Sequence, residues 1–248
     1  MLMKSKLPIR LKKEPLIEAL WEIRFSSQVE SVVELLPGLI YHESNGEYKK
    51  ITRLPTANLP DLMLQQNPDL KYVPSVRLDG EPYSIQIGEH VVSLSCHRPY
   101  SGWMKFGEKI RRLSQILRAT NLLTTPERFS LKYIDIVPGD DTPSISLLAV
   151  ELKLGDHNLV QEPVHLRTEI REKGFIHVVQ VASPVDASLP TGEKYTGVLL
   201  DIDTISTAQD QEFWSNFDSQ LDLAHELNKN LFFRLITENT IQSLEPEY

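Results

Sequence analysis

Apolar residues recur along this chain with two periods, and the changes between them predict its secondary structure. From residue 16 to residue 25, apolar and charged residues alternate, as expected of a strand with one buried face. From Trp103 to about Ala119, the apolar residues lie three or four positions apart, which indicates an amphipathic helix. A second stripe of helical period begins near residue 210, so two long helices are expected.

The two predicted helices begin with similar patterns. Their stripes are Trp103, Phe106, Ile110 and Leu113 in the first helix, and Trp214, Phe217, Leu221 and Ala224 in the second. Each helix follows a region of alternating pattern, so the sequence predicts an α+β protein of two similar halves, each an antiparallel sheet covered by a long amphipathic helix. An internal duplication explains the likeness, although any two helices that cover sheets share such a stripe. We expect Trp103 and Trp214 to be largely buried.

Turn-forming residues divide the chain further. Asn45-Gly46, Gly88-Glu89 and Lys173-Gly174 each lie between apolar stretches and predict tight hairpins, and Pro37-Gly38 predicts the end of a short helix. Prolines at 55, 60, 68 and 74 predict an irregular connection over residues 53–80. The polar, proline-bounded stretch after Val137 predicts a boundary between an N-terminal half, residues 1–137, and a C-terminal half, residues 138–248.

Composition restricts the class of protein. The chain has 248 residues, of which 41% are hydrophobic, enough for a sizeable core. Its single cysteine, Cys96, excludes an intrachain disulfide and fits a reducing compartment. The basic N-terminus is followed by no apolar run long enough for a secretion signal, and no later run is as long as a membrane-spanning helix. We therefore expect a cytoplasmic protein that does not contact a membrane.

The charge is distributed unevenly along the chain. The net charge is −8, yet residues 1–137 hold 19 Lys and Arg against 15 Asp and Glu, whereas residues 138–248 hold 7 against 19. An acidic total argues against a protein dedicated to nucleic acid. The imbalance can steer a charged partner or bring copies of the chain together, basic end to acidic end, and it can equally serve solubility alone.

Three segments resemble a known family. These segments are Glu14–Phe25 (EPLIEALWEIRF), Leu199–Asp203 (LLDID) and His225–Thr237 (HELNKNLFFRLIT). Together they resemble a sporadically distributed family of bacterial proteins of about 250 residues that has no assigned function. The resemblance implies an accessory gene of a mobile, toxin–antitoxin or phage-defence locus. It implies neither a reaction nor a cofactor.

Acidic residues supply one candidate for chemistry. Asp201 and Asp203 lie two positions apart in a predicted strand, so their carboxylates share a face and could hold a cation such as magnesium. Asp135 and His225 are the candidates for a further ligand or a base. These four residues define the alternative of a metal-dependent hydrolase or nuclease. An Asp pair on the solvent face of a strand also occurs without any function, and no histidine spacing indicates a zinc site.

Two charged rows supply candidates for binding. Lys105, Lys109 and Arg112 line one face of the first long helix, where they could bind phosphates or an acidic protein. Arg167, Glu169 and Arg171 alternate with less polar residues along a predicted strand and should face solvent.

We therefore expect a non-enzymatic protein, with no cofactor and no metal, that binds a protein partner through its charged faces and residues 53–80. Nucleic-acid binding through the helix at 103–118 is the second alternative.

Overall fold

The computed structural model describes residues 7–59, 63, 66–139, 144–189, 192–206 and 213–248. The strands there are β1 (Arg10–Leu11), β2 (Leu16–Ser26), β3 (Lys50–Arg53), β4 (Val76–Asp79), β5 (Tyr83–Ile87), β6 (Val91–His97), β7 (Thr125–Pro138), β8 (Lys153–Leu154), β9 (His157–Asn158), β10 (Val164–Glu172), β11 (Phe175–Ser188), β12 (Lys194–Ser206) and β13 (Pro246–Glu247). The helices are α1 (Val32–Glu43), α2 (Trp103–Thr120), α3 (Phe213–Leu235) and α4 (Glu238–Ser243), with 3₁₀ helices at Pro55–Asn58, Pro68–Leu70 and Ile145–Leu147. None of the helices in these ranges combines the length and the apolarity needed to cross a membrane.

One large sheet dominates the described part of the chain. Nine strands form an antiparallel sheet in the order β10-β11-β12-β7-β2-β6-β5-β4-β3. The α+β class is confirmed, but the predicted arrangement of two similar halves, each with its own sheet and helix, is wrong. Period-two alternation identifies a strand with one buried face but does not say which strands pair, so it cannot distinguish one sheet from two.

Residue contacts divide the chain into two compact units. Unit A contains residues 18–131 and 205–222, and unit B contains residues 1–17, 132–204 and 223–248. Neither unit is one continuous stretch of sequence.

A row of apolar side chains crosses five strands of unit A. Ile51 of β3 lies opposite Leu78, and successive partners across the sheet are Ile85, Leu94 and Trp21. Leu78, Ile85, Leu94 and Trp21 are at most 1% exposed, whereas Ile51 is 55% exposed. The alternating burial predicted for β2 and the shared face predicted for β5 and β6 are thereby confirmed. Other parts of unit A therefore bury every side chain of the row except Ile51 of β3.

The apolar stripes of α2 and α3 contribute their phenylalanines to the core. Phe106 is fully buried and stacks on Tyr83, and Phe217 packs against the ring of Trp21 at 5.9 Å between centroids. Trp103 and Trp214 are partly exposed, so they are less completely buried than Phe106 and Phe217. Each tryptophan lies in the first turn of its helix as described, where fewer neighbours cover a side chain.

Unit B has its own core, which contains a buried polar network. Apolar residues of β11 and β12 pack with α3 and α4, among them Val179, Leu200, Ile202, Leu231 and Ile241. Within this core, Asn228 donates hydrogen bonds to the Ile202 carbonyl oxygen at 2.9 Å and to Thr204 Oγ1 at 2.8 Å. His177 Nδ1 lies 3.0 Å from the same hydroxyl oxygen. Burial lowers the pKa of His177, so this network holds a neutral imidazole.

Two of the predicted turns and helix ends differ in the structure. Helix α1 continues through Pro37 and Gly38, because burial of Leu36 and Ile40 on either side outweighs the lost backbone hydrogen bond. Asn45 and Gly46, with φ of 53° and 70°, follow the end of α1 and do not form a hairpin. By contrast, Lys173 and Gly174 do form the predicted hairpin, with Glu172 opposite Phe175.

Phe106→Ala should lower the free energy of unfolding by about 3–5 kcal/mol, because it leaves a cavity at a fully buried position. Met104, on the same helix and 86% exposed, supplies the control. Met104→Ala should cost less than about 0.5 kcal/mol in the same urea titration. Equal costs for the two variants would contradict the packing of α2 described above.

Candidate functional site

A cleft in unit A combines exposed apolar side chains with unpaired charges. It has a volume of about 910 Å³ and lies between α1, β3 and the irregular segment that links β3 to β4. Helix α1 supplies Val33 and Pro37, and β3 supplies Ile51 and Arg53. The predicted irregular segment is therefore the part of the chain that forms much of this cleft, with short 3₁₀ helices within it.

Glu89 fixes the N-terminal end of the α1 wall. The helix begins after Ser31, whose side chain makes no capping hydrogen bond. Glu89, on the turn between β5 and β6, accepts hydrogen bonds from the Val32 backbone N–H at 2.7 Å and from Ser31 Oγ at 3.1 Å. A carboxylate at this position satisfies unpaired helix N–H groups and complements the helix dipole.

Glu127 holds the opposite wall in place. Its carboxylate accepts hydrogen bonds from the Tyr72 hydroxyl, from Lys71 Nζ at 3.0 Å and from Ser26 Oγ at 2.8 Å. Burial acts to raise the pKa of Glu127, but these three hydrogen bonds together lower it, so the carboxylate is ionised at neutral pH. The Arg24 guanidinium also lies 4.3 Å from the centre of the Tyr72 ring. The chain at residues 71–72 is thereby tied to β2 and β7.

Some of the charged side chains that line the cleft are paired within the protein, and others are not. Lys71 and Glu89 are both engaged within the protein, as described above. Arg53 and Glu34 are exposed, and neither forms an ion pair within the ranges that the structure describes. His90 Nδ1 is buried and has no hydrogen-bond partner among those residues. The cleft therefore presents one cation, Arg53, and one anion, Glu34, that no described residue pairs.

Helix α1 also exposes apolar side chains outside the cleft. Leu35 and Leu39 are 50% and 42% exposed. The cleft is lined by residues 33, 34, 37 and 38 of this helix. At 100° per residue, Leu35 and Leu39 lie on another side of the helix and do not extend the cleft.

Most of the predicted basic row on α2 is occupied by internal contacts. Lys109 Nζ contacts both carboxylate oxygens of Glu47 at 2.7 Å, and Arg112 donates to the Glu43 carbonyl oxygen at 3.1 Å. Lys105 is exposed and forms no ion pair with any described residue. The row therefore offers less free positive charge than its sequence indicates.

The row Arg167, Glu169 and Arg171 lies on β10 and is exposed, as its alternation predicts. Arg167 forms an ion pair with Glu169 at 3.1 Å. Because β10 is a terminal strand of the sheet, these charges also serve to discourage pairing with another chain.

The four acidic and histidine candidates do not converge on one site. Asp201 Oδ2 accepts hydrogen bonds from Lys132 Nζ at 3.0 Å and from Gln180 Nε2 at 3.2 Å. Thr204 of the same strand points to α3, where it contacts Asn228, so Asp201 and Asp203 lie on the opposite face of β12. His225 is on α3 and contacts the Tyr133 hydroxyl at 3.0 Å.

Asp135 is a buried carboxyl group. Burial raises its pKa well above the ordinary value of 3.8, and the nearby Glu14 and Asp201 raise it further. Burial also raises the pKa of Asp201, although Lys132 opposes that shift. Within the described ranges, no group of three or more His, Cys, Asp and Glu side chains is placed to hold a metal ion.

Sequence reasoning missed the residues that define the cleft. Lys50–Arg53 is a strand of four residues, too short for alternation to be recognised, and Glu89 is far in sequence from the helix it caps. The one sequence feature that pointed to this region is the density of prolines after residue 54, which predicted an irregular connection.

Comparisons with known proteins identify neither a family nor a relative of this chain. The chain matches no model of a known protein family, and a search of curated proteins finds no relative.

Asp135→Asn should change how stability depends on pH. The folded state holds the Asp135 proton more tightly than the unfolded chain, because the pKa is raised on folding. The Asp135 contribution therefore falls as pH rises above about 4, and the asparagine variant should gain stability relative to the wild type as pH is raised from about 4 toward neutrality. Thermal unfolding across this range measures the difference, and a relative loss toward higher pH would show that the carboxylate is ionised and paired.

Glu89→Ala should lower the free energy of unfolding by about 1–2 kcal/mol, because α1 loses its cap. Glu89→Gln retains an acceptor and should cost less than the alanine variant in the same urea titration. If both variants match the wild type, Glu89 does not anchor this wall.

Proposed function

We propose that this protein is a non-enzymatic binding protein that holds a segment of a partner protein in the cleft of unit A. The observation that carries the proposal is the combination of the cleft, about 910 Å³, with the 55% exposure of Ile51 on its wall. Elsewhere in the same cross-strand row, apolar side chains are almost completely buried. An apolar segment from a partner would cover Ile51 as helices and loops cover the rest of the row.

The lining of the cleft suits a peptide. Apolar residues on two walls provide the contact area, and Arg53 and Glu34 provide polar groups that can fix the orientation of a ligand.

The alternative functions have weaker support. An enzyme that uses Asp135, Asp201, Asp203 and His225 needs these groups together, and β12 separates the Asp201 and Asp203 side chains from α3, which carries His225. Nucleic-acid binding through α2 depends on cations of which Lys109 is paired with Glu47. The net charge of −8 also disfavours polyanion binding.

A displayed library of random peptides, each about 12 residues long, tests the proposal on the full chain. Selected peptides should bind the wild type when measured by fluorescence polarisation, and Ile51→Glu should weaken binding by at least about tenfold, since it places a charge among apolar groups. Leu154→Glu is the matched control, because Leu154 is also exposed (74%) but does not line the cleft. The control should bind as the wild type does.

Two outcomes would overturn the proposal. The first is a selection that yields no peptide, or only peptides that bind Ile51→Glu and the wild type equally. The second is a submicromolar, salt-sensitive complex with duplex DNA near physiological salt, which would support the nucleic-acid alternative.

A further inference from the structure

The outer edge of β3 offers unpaired backbone groups beside the cleft. In the order of the nine strands β3 is terminal, so β4 is its one neighbour in the described part of the sheet. A terminal strand exposes a row of N–H and C=O groups that can pair with a further strand.

The register identifies which backbone groups face outward. Arg53 lies opposite Val76, and the next residue, Leu54, donates its N–H to the Ser75 carbonyl oxygen at 2.8 Å. Hydrogen-bonded and non-hydrogen-bonded pairs alternate along an antiparallel ladder. The N–H and C=O groups of Thr52 therefore point toward β4, and those of Ile51 and Arg53 point away from it.

The same two residues present their side chains to the cleft. Ile51 and Arg53 both line it, and both share the face of Leu78 and Val76. One extended segment can thus pair with the backbone of β3 and also place every second side chain in the cleft.

We infer that the partner binds as an added strand on β3, with apolar side chains beside Ile51 and an acidic side chain beside Arg53. This inference rests on the proposed function, since it specifies the conformation and the charge of the segment that the cleft holds.

Charge supports the choice of an acidic segment. Lys49 and Arg53 give this edge two cations within five residues, and neither forms an ion pair within the described ranges. The other terminal strand, β10, presents both signs and pairs Arg167 with Glu169 internally. The sequence of β10 contains two Arg and two Glu, whereas that of β3 contains one Lys, one Arg and no acidic residue, so an acidic segment is favoured at β3.

A backbone scan of a selected peptide tests the conformation. Each residue is N-methylated in turn, which removes one N–H, and affinity for the full chain is measured by fluorescence polarisation. Pairing with β3 predicts that affinity falls at every second position in the central part of the peptide, because alternate N–H groups point to the neighbouring strand. Tolerance at every position, or loss at several consecutive positions as for a bound helix, would overturn the inference.

A charge exchange tests the contact with Arg53. Arg53→Glu should weaken binding by about tenfold or more, and replacing the acidic residue of the peptide with lysine should restore binding to this variant alone. Lys50→Glu is the matched control, because Lys50 lies one position from Ile51 and its side chain is on the opposite face of β3. At about 0.15 M salt it should change affinity by less than about threefold.

The two proposals fail in different ways. If peptides bind and Ile51→Glu weakens them, but the methylation pattern does not alternate or the charge exchange fails to restore binding, the strand pairing is wrong and the cleft remains a protein-binding site. If no peptide depends on Ile51, both proposals are wrong.

Discussion

The structure of unit A depends on the burial of one row of apolar side chains that crosses the sheet from β3 to β2. Successive partners in this row are Ile51, Leu78, Ile85, Leu94 and Trp21. A shift of any strand by one residue would move its apolar set to the other face, so burial of the row fixes the register. The same register determines which backbone groups of β3 face outward. The cleft and the free edge are therefore consequences of the packing that holds the sheet together.

The cleft exists because the side chains that bury this row extend over β2, β6, β5 and β4 but leave Ile51 of β3 exposed. Leu78 is completely buried, whereas Ile51, one strand further, is 55% exposed. Helix α1 forms one wall, and Glu89 fixes its start. The opposite wall is irregular chain, tied to the sheet where Glu127 binds Lys71 and Tyr72. Both anchors are carboxylates from distant parts of the sequence, so the walls are held by tertiary contacts.

The buried polar groups of unit B have a structural role: they hold a strand and a helix together. His177, Thr204 and Asn228 form a connected network within the core, and burial lowers the pKa of the imidazole. Asp201 is buried with Lys132 and Gln180 as partners. Such networks specify how a strand and a helix fit together, because each polar group must find its partner when water is excluded. The shifted pKa values of His177 and Asp201 therefore reflect desolvation first and do not require a reaction.

The sequence by itself determined the elements whose signals are local. The alternation of β2, the stripe of α2 and the Lys173-Gly174 hairpin follow from the side chains of neighbouring residues and from positive φ at the turn. Only the tertiary structure decided that the strands join in one sheet, that α1 continues through Pro37, and that Ile51 and Arg53 line a cleft at a free edge. Strand pairing, and the burial that outweighs a helix-breaking residue, depend on contacts between residues far apart in the chain, and a local pattern carries no information about those contacts.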